Sequence, residues 1–353
     1  MKEYNLPYHL MVEEGIFSRI PQAMEDVEPG LSGKKMLLVT EENLKSLFAS
    51  HIEGILGSFN QSELYLMKEA SYDEATDLAK YMAMQEITLV IGLGGGSVLD
   101  LAKFAAFVGK VQYICLPTTL SNDSLASPVA VLVTEGKARR SFHCEIPEAI
   151  FVDPTIIKSA PRRQILSGIG DTISKYTALN DWKLSWMRGN SGGDDFAYML
   201  SKMALNTILF NDLEDVTGID FIKLLTQALV MGGLAMEIAG SSRPSSGSEH
   251  LFCHALEENY SEQTQVPHGI AVAIGSYGAC KLQQRNLEKI TRVIKKYGIP
   301  VKPSDWKITE EIFVGAWQDA AATRPDRYTI LNEADLSDEN LKALYHEMEE
   351  VFA

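Results

Sequence analysis

Three histidines fall close together in "SGSEHLFCHALEENYSEQTQVPHGIAVAIGS": His250, His254 and His268. His250 and His254 stand four residues apart, so a helix puts both on one face. His268 opens a further apolar run behind Pro267. Imidazole serves both metal binding and proton transfer, so the cluster reads as a metal centre or a proton-transfer site. An open catalytic metal site takes about three protein ligands, so two imidazoles need a carboxylate from elsewhere. Asp171 in "SGIGDTISKYTALNDW", behind Gly168 and Gly170, is the best donor. The same Asp reads equally as the N-cap of the first helix of a second domain.

A second chemistry stands in "TLVIGLGGGSVLDLAKFAAF", residues 88–107, where an apolar run meets Gly92, Gly94, Gly95 and Gly96 and then becomes helical in pattern. Glycines after a buried strand let the backbone approach a ligand, and the next helix offers free N–H groups to a phosphate. The stretch nearly fits the dinucleotide fingerprint G-x-G-x-x-G, with Ser97 in the last glycine's place; a ligand-free turn is the alternative. The fingerprint arrives late, so the acid for the ribose precedes it: Glu41 after "KKMLLVT" either binds ribose hydroxyls, favouring NAD over NADP, or merely begins a helix. After the next strand, "LPTTLSNDSLASP" gathers Thr118, Thr119, Ser121, Asn122, Asp123, Ser124 and Ser127. This is a ligand loop or a turn that satisfies its own backbone.

These groups need a scaffold. The 353 residues suggest two domains, and the formal charge of −15 disfavours nucleic acid and anionic membranes. The four cysteines form no C-x-x-C pair, which suits reduced thiols and a cytoplasmic protein. The N-terminus carries acids where a signal peptide needs an apolar core, and residues 221–240, broken by Lys223, Gln227 and Glu237, read as a buried helix. From residue 34 to about 154, "KKMLLVT", "SELYLMK", "TLVIGL", "VQYICLP", "VAVLVTE" and "AIFVDP" alternate with helical stretches, predicting a mostly parallel sheet. "TEGKARR" reads as a hairpin turning at Gly136. Beyond it the spacing is helical, so the expected division is an α/β domain over 1–157 and an all-helical domain over 158–353.

Five motifs in order, "GLGGGSVLDLAK", "PTTLSND", "GIGDTISKYTALNDWKL", "SRPSSGSEHLFCH" and "PHGIAVAIG", resemble the iron-containing alcohol dehydrogenase and glycerol dehydrogenase superfamily across nearly the whole chain. Within it, "GDTISKYTALNDWKL" and "SRPSSGSEH" are most similar to the glycerol-1-phosphate branch. The resemblance implies an N-terminal dinucleotide-binding α/β domain and an all-α C-terminal domain with the site between them, the dehydroquinate synthase-like architecture of group III alcohol dehydrogenases. It implies that Gly94, Gly95, Gly96, Ser97 and Val98 cradle the pyrophosphate of NAD or NADP. Thr118, Thr119, Ser121 and Ser127 line the nicotinamide side. By the same resemblance, Asp171, His250 and His268 are expected to hold a divalent metal, zinc first and Fe²⁺ or Ni²⁺ as alternatives, and His254 and Asp123 to meet the substrate. Asn122 departs from the pattern, standing where His is expected in many members of that branch. The implied activity is hydride transfer between glycerol-1-phosphate and dihydroxyacetone phosphate in a homo-oligomer, with Lys175 and Arg243 as phosphate-binding cations. Free glycerol as substrate, a lyase resembling 3-dehydroquinate synthase, and a non-catalytic nucleotide sensor are the competing readings.

Overall fold

The computed structural model describes residues 9–135 and 139–353; the turn expected at Gly136 lies outside them. The chain forms two compact units, one running to Pro161 and regaining Thr217–Thr226, the other comprising Arg162–Val216 and Gln227–Ala353.

The first unit carries β1 (His9–Val12), β2 (Lys35–Glu41), β3 (Gln61–Met67), β4 (Leu89–Gly94), β5 (Gln112–Pro117), β6 (Val129–Val133), β7 (Arg139–His143) and β8 (Ala149–Val152). Between them run α1 (Ile20–Val27), α2 (Glu42–Leu47), α3 (Ala49–Gly57), α4 (Tyr72–Met84), α5 (Gly96–Gly109) and α6 (Pro154–Ser159). Six strands form one sheet in the order β1-β8-β5-β4-β2-β3, parallel at every pairing. Strands covered on both faces read as continuous apolar runs rather than alternating ones. "LVIGLG" of β4 and "AIFV" of β8 are buried at every position, whereas β3 at the sheet edge tolerates "QSELYLM". The expected strands are therefore present. β1 is an addition: a four-residue strand pairing with β8 from His9↔Ala149 to Val12↔Val152. β6 and β7 form a separate antiparallel pair.

From β2 the chain moves outward to β3, but from β4 it moves the other way to β5. The β2/β4 boundary is thus the topological switch point, where such sheets leave a crevice at the strands' carboxyl ends. One buried cation fixes the loop beside it. Lys103 of α5 is 1% exposed. Its Nζ donates to the carbonyls of Ser124 (3.0 Å), Ser127 (3.1 Å) and Val129 (2.6 Å) and lies 3.2 Å from Asp100. Asp100 in turn accepts from the Val131 amide at 3.0 Å. The pair ties the glycine-led helix to the polar loop 118–128.

The second unit is helical throughout: α7 (Arg162–Ile173), α8 (Lys175–Met187), α9 (Asp195–Leu209), α10 (Ile219–Ala239), α11 (Ser248–Asn259), α12 (His268–Leu282), α13 (Glu288–Tyr297), α14 (Glu310–Thr323) and α15 (Asp338–Val351). The first residues of α10 belong to the other unit. This apolar helix is long enough to cross a membrane, yet it is mostly buried, as expected for a core helix. Asp171 departs from expectation: it lies in the last turn of α7 rather than at a helix start, so it is no N-cap. Its preceding glycines serve a close crossing instead. A Cβ on Gly170 would overlap the Gly269 carbonyl of α12, and one on Gly269 would overlap the carbonyl of Ser167.

Replacing Lys103 with Met strips three carbonyls and a buried carboxylate of their shared cation. Breaking a buried ion pair from one side costs about 3–5 kcal/mol, so Lys103→Met should unfold at clearly lower urea concentration than the wild type. An unshifted transition would refute this role.

Candidate metal and cofactor sites

The α7–α12 crossing sets Asp171 beside His268, because each adjoins one of the two touching glycines. The Gly269 amide also donates to Ser167 Oγ at 3.0 Å. His250 comes from α11, which packs on α12 closely enough that a Cβ on Gly275 would stand 2.5 Å from the Glu249 carbonyl. Ligand atoms of Asp171, His250 and His268 all lie within 4.8 Å of one another. His250 Nε2 is 3.5 Å from Asp171 Oδ1. Two ligands on one tetrahedral ion with bonds of about 2.0–2.1 Å sit about 3.4 Å apart, so this spacing fits a shared cation. Asp171 Oδ2 is buried without a hydrogen-bond partner, a costly state that a cation relieves. Two imidazoles and one carboxylate suit zinc and also Fe²⁺ or Ni²⁺.

Carboxylates behind the histidines orient them. Glu249 Oε1 stands 2.9 Å from His250 Nδ1, leaving Nε2 to face Asp171. Glu249 is itself fully buried and accepts from the Gly247 amide (2.6 Å) and Thr177 Oγ1 (2.7 Å). Glu257 Oε1 is 3.1 Å from His268 Nδ1, with Cys253 Sγ 3.4 Å from the same nitrogen. Such partners fix tautomer and ring orientation at metal sites. Sequence reading missed both acids, although each lies within one helical turn of a histidine.

Charge follows geometry. Burial is the largest single influence and opposes ionisation of both Asp171 and His250, but their mutual hydrogen bond together with the charges of Lys175 and His268 on Asp171 and the Glu249 carboxylate on His250 outweighs it, holding the carboxyl below its usual range and the imidazole above. His254 differs: burial dominates and pushes it down to about 4, so it is neutral near pH 7. Its ring centroid lies 6.4 Å from that of His250 and 6.3 Å from that of His268, and it is outside the ligand cluster. Lys175 is fully buried and turned onto the Asp171 carbonyl at 3.4 Å, which removes it as a cation for a solvent-borne phosphate. Arg243 is half-buried and donates to the Tyr328 carbonyl at 3.1 Å.

In the first unit, Glu41 ends β2 and the glycines end β4, on adjacent strands across the switch point, with Val39 in register with Gly92. Glu41 occupies the N-cap position of α2 but makes no side-chain cap bond. At the end of β4, a Cβ on Gly94 would meet Val98 at 2.6 Å, and one on Gly96 would meet Asn122 at 3.1 Å. Ser97 is exposed at the start of α5 and Val98 is buried. Thr118 donates its amide to the Gly94 carbonyl at 2.9 Å, and Thr119 faces Gly95, whose added Cβ would lie 3.3 Å from its hydroxyl. Ser121 and Asp123 are half-buried in the same loop. Asn122 caps the short turn Asp123–Leu125, accepting the Ser124 amide at 3.2 Å. Ser127 is buried, its hydroxyl given to the Val129 carbonyl at 3.1 Å. The edge thus offers glycine backbone, a helix N-terminus, hydroxyls and two carboxylates, Glu41 and Asp123.

Residues 11–161 match the family described as iron-containing alcohol dehydrogenase. Among curated proteins, the chain is 40% identical over 280 residues to a glycerol-1-phosphate dehydrogenase [NAD(P)+] of Sulfurisphaera tokodaii, covering 78% of each. It is 34% identical to the protein so named in Sulfolobus acidocaldarius, covering 97% of this chain and 96% of the other. Among solved structures, a probable glycerol dehydrogenase from Sinorhizobium meliloti superposes with TM-score 0.79 at 19% identity, over 99% of both chains. Glycerol dehydrogenase from Schizosaccharomyces pombe gives 0.77 at 20%, over 100% of this chain and 92% of that one. At such identity the structural likeness shows the fold alone.

His250→Ala and His268→Ala should each purify without stoichiometric metal, whereas His254→Ala should retain it. Gly170→Ala touches no ligand atom, but its methyl would force α7 off α12, so it should lose metal as well. Elemental analysis of the four variants decides; full metal in either ligand variant refutes the assignment.

Proposed function

Because the chain belongs to the iron-containing alcohol dehydrogenase family, we propose that it is a metal-dependent, NAD(P)-linked oxidoreductase interconverting glycerol-1-phosphate and dihydroxyacetone phosphate. The observation that carries the reading is the Asp171–His250–His268 cluster, in a chain that aligns nearly end to end with relatives bearing the glycerol-1-phosphate dehydrogenase name. A divalent cation held there, zinc first, supplies positive charge that eases proton loss from an alcohol and polarises a carbonyl. The nicotinamide cofactor is the hydride partner. Gly94, Gly95, Gly96, Ser97 and Val98 form its phosphate cradle, Glu41 takes the ribose, and Thr118, Thr119, Ser121 and Ser127 flank the nicotinamide.

His254 is the proton carrier. Held neutral by burial, it accepts the hydroxyl proton during oxidation and returns one during reduction. Asp123 contacts the substrate. None of the four cysteines is in a disulfide, all four are buried and the net charge is −15, which supports a cytoplasmic protein that avoids nucleic acid and membranes. A homo-oligomer is part of the same reading.

His254→Ala should lower kcat by about a hundredfold or more, the range of general acid–base catalysis. For substrate, the expectation is a kcat/KM for dihydroxyacetone phosphate about ten- to a hundredfold above that for dihydroxyacetone, one charge-assisted contact of about 1.5–3 kcal/mol. Equal use of both, or faster oxidation of free glycerol than of glycerol-1-phosphate, makes the chain a glycerol dehydrogenase.

For cofactor, NAD(H) should be used at least as well as NADP(H), since the 2′-phosphate would face Glu41. Glu41→Ala should then raise relative NADP(H) use by about tenfold, about 1.4 kcal/mol, the scale of one or two charge-pair interactions of about 1 kcal/mol in water. A strong wild-type preference for NADPH contradicts it.

A further inference from the structure

Two loops of the second unit interlock through arginines. From the segment after α14, Arg327 donates through Nη1 to the Ser246 carbonyl (2.9 Å) and hydroxyl (2.7 Å) and through Nη2 to Ser242 Oγ (2.6 Å). In return, Arg243 of the "SRPSSGS" loop donates through Nη1 to the carbonyl of Tyr328. A third guanidinium, Arg324, is committed to Glu258 at 3.4 Å. Among the described residues neither Arg243 nor Arg327 has a carboxylate within ion-pair distance. That is unusual in a chain with 47 acids against 32 Lys and Arg.

Acids beyond ion-pair distance support both charges, but by less than burial opposes them. Burial, with the charges of Arg243 and Arg324, pushes Arg327 down to about 10, and burial lowers Arg243 as well. The acids whose charge reaches Arg327 are already engaged. Asp181 accepts from the Ser248 amide and hydroxyl and from the Ile330 amide, and Glu249 serves His250, Gly247 and Thr177. Both residues nonetheless keep part of their surface exposed.

The cluster adjoins the histidines. Ser246, which Arg327 grips, stands two residues before the start of α11 and four before His250. On the other side, the charge of Arg324 acts on His254. We infer that Arg327 and Arg243 together form the subsite for the substrate's phosphate monoester, a dianion met by two forked guanidiniums otherwise held only by neutral oxygens. The inference rests on the substrate reading above and adds Arg327, which nothing in the local sequence pattern singles out. A guanidinium fork matches phosphate geometry and stays charged even when its pKa falls to this level.

The test compares wild type, Arg327→Gln, Arg327→Lys and Arg243→Gln, each with metal content verified. Three readouts are taken: kcat/KM for dihydroxyacetone phosphate, kcat/KM for dihydroxyacetone, and the inhibition constant of inorganic phosphate. The expected result is that the ratio of the two kcat/KM values falls about ten- to a hundredfold in Arg327→Gln and in Arg243→Gln. Arg327→Lys should fall less, and phosphate inhibition should weaken in step with the ratio. If Arg327 only braces the loop, Arg327→Gln will lose both substrates in parallel with the ratio and the phosphate inhibition constant unmoved, which overturns the inference. Should Arg327→Gln fail to fold, an unchanged ratio in Arg243→Gln overturns it equally. A wild type with no preference for the phosphorylated substrate overturns the substrate reading itself, an outcome distinct from a preference that survives the arginine substitutions.

Discussion

A Cβ on Gly170 or Gly269 has no space to occupy, because α7 and α12 meet there backbone to backbone. Asp171 and His268 are chain neighbours of those glycines, so the closeness of the helices is also the closeness of the ligands. Interiors transmit strain rather than absorb it. A shift of a few tenths of an ångström at this crossing would therefore alter the ligand spacing directly. The glycines cost helix propensity of about 1 kcal/mol each relative to Ala, and the close crossing that sets Asp171 beside His268 is a sufficient reason to keep them. Gly275 repeats the device between α12 and α11, bringing in the helix that carries His250.

The first unit uses a different means to the same end. Its switch point is dictated by strand order, but strand order alone leaves the loop after β5 free to move. Lys103 removes that freedom by gathering three carbonyls of the loop onto a cation rooted in α5. The helix that follows the glycine turn is thereby tied to the hydroxyl-rich loop.

The contrast between what the residues foretell and what they conceal follows from the kind of interaction. β2, β4, β5 and β8 are legible because a strand covered on both faces has to be apolar throughout. β1 is not, since it is four residues long and starts exposed, stabilised by its pairing with β8 rather than by pattern. Asp171 stands out by its type but not by its place, because Gly168 and Gly170 look like helix breakers until the partner helix is seen. Glu249 and Glu257 look like ordinary acids on a helix; only the burial of α11 on α12 shows that they back the histidines. The return of Thr217–Thr226 to the first unit leaves no mark in helical spacing at all. Arg327 lies 59 residues after His268 in sequence and meets the site only through the loop it grips.

Charge placement unites these parts. In a chain of net charge −15, a phosphorylated substrate approaches against a repulsive background, so attraction has to be local. The second unit provides it by segregating its ions. Carboxylates stand behind the histidines, while the guanidiniums at the loop before α11 have no carboxylate within ion-pair distance among the described residues. Asp181 lies nearby, yet its oxygens are taken by Ser248 and Ile330, and burial with the charge of Glu249 raises it to about 6, which lessens its negative charge toward the arginines. With its pKa at about 6 the carboxyl is half ionised near pH 6 and mostly ionised at neutral pH, so its neutralisation grows as pH rises. The positive field at the loop is thus strongest where Asp181 is protonated, and the same buried acid that braces α11 also modulates how strongly an anion is drawn to its start.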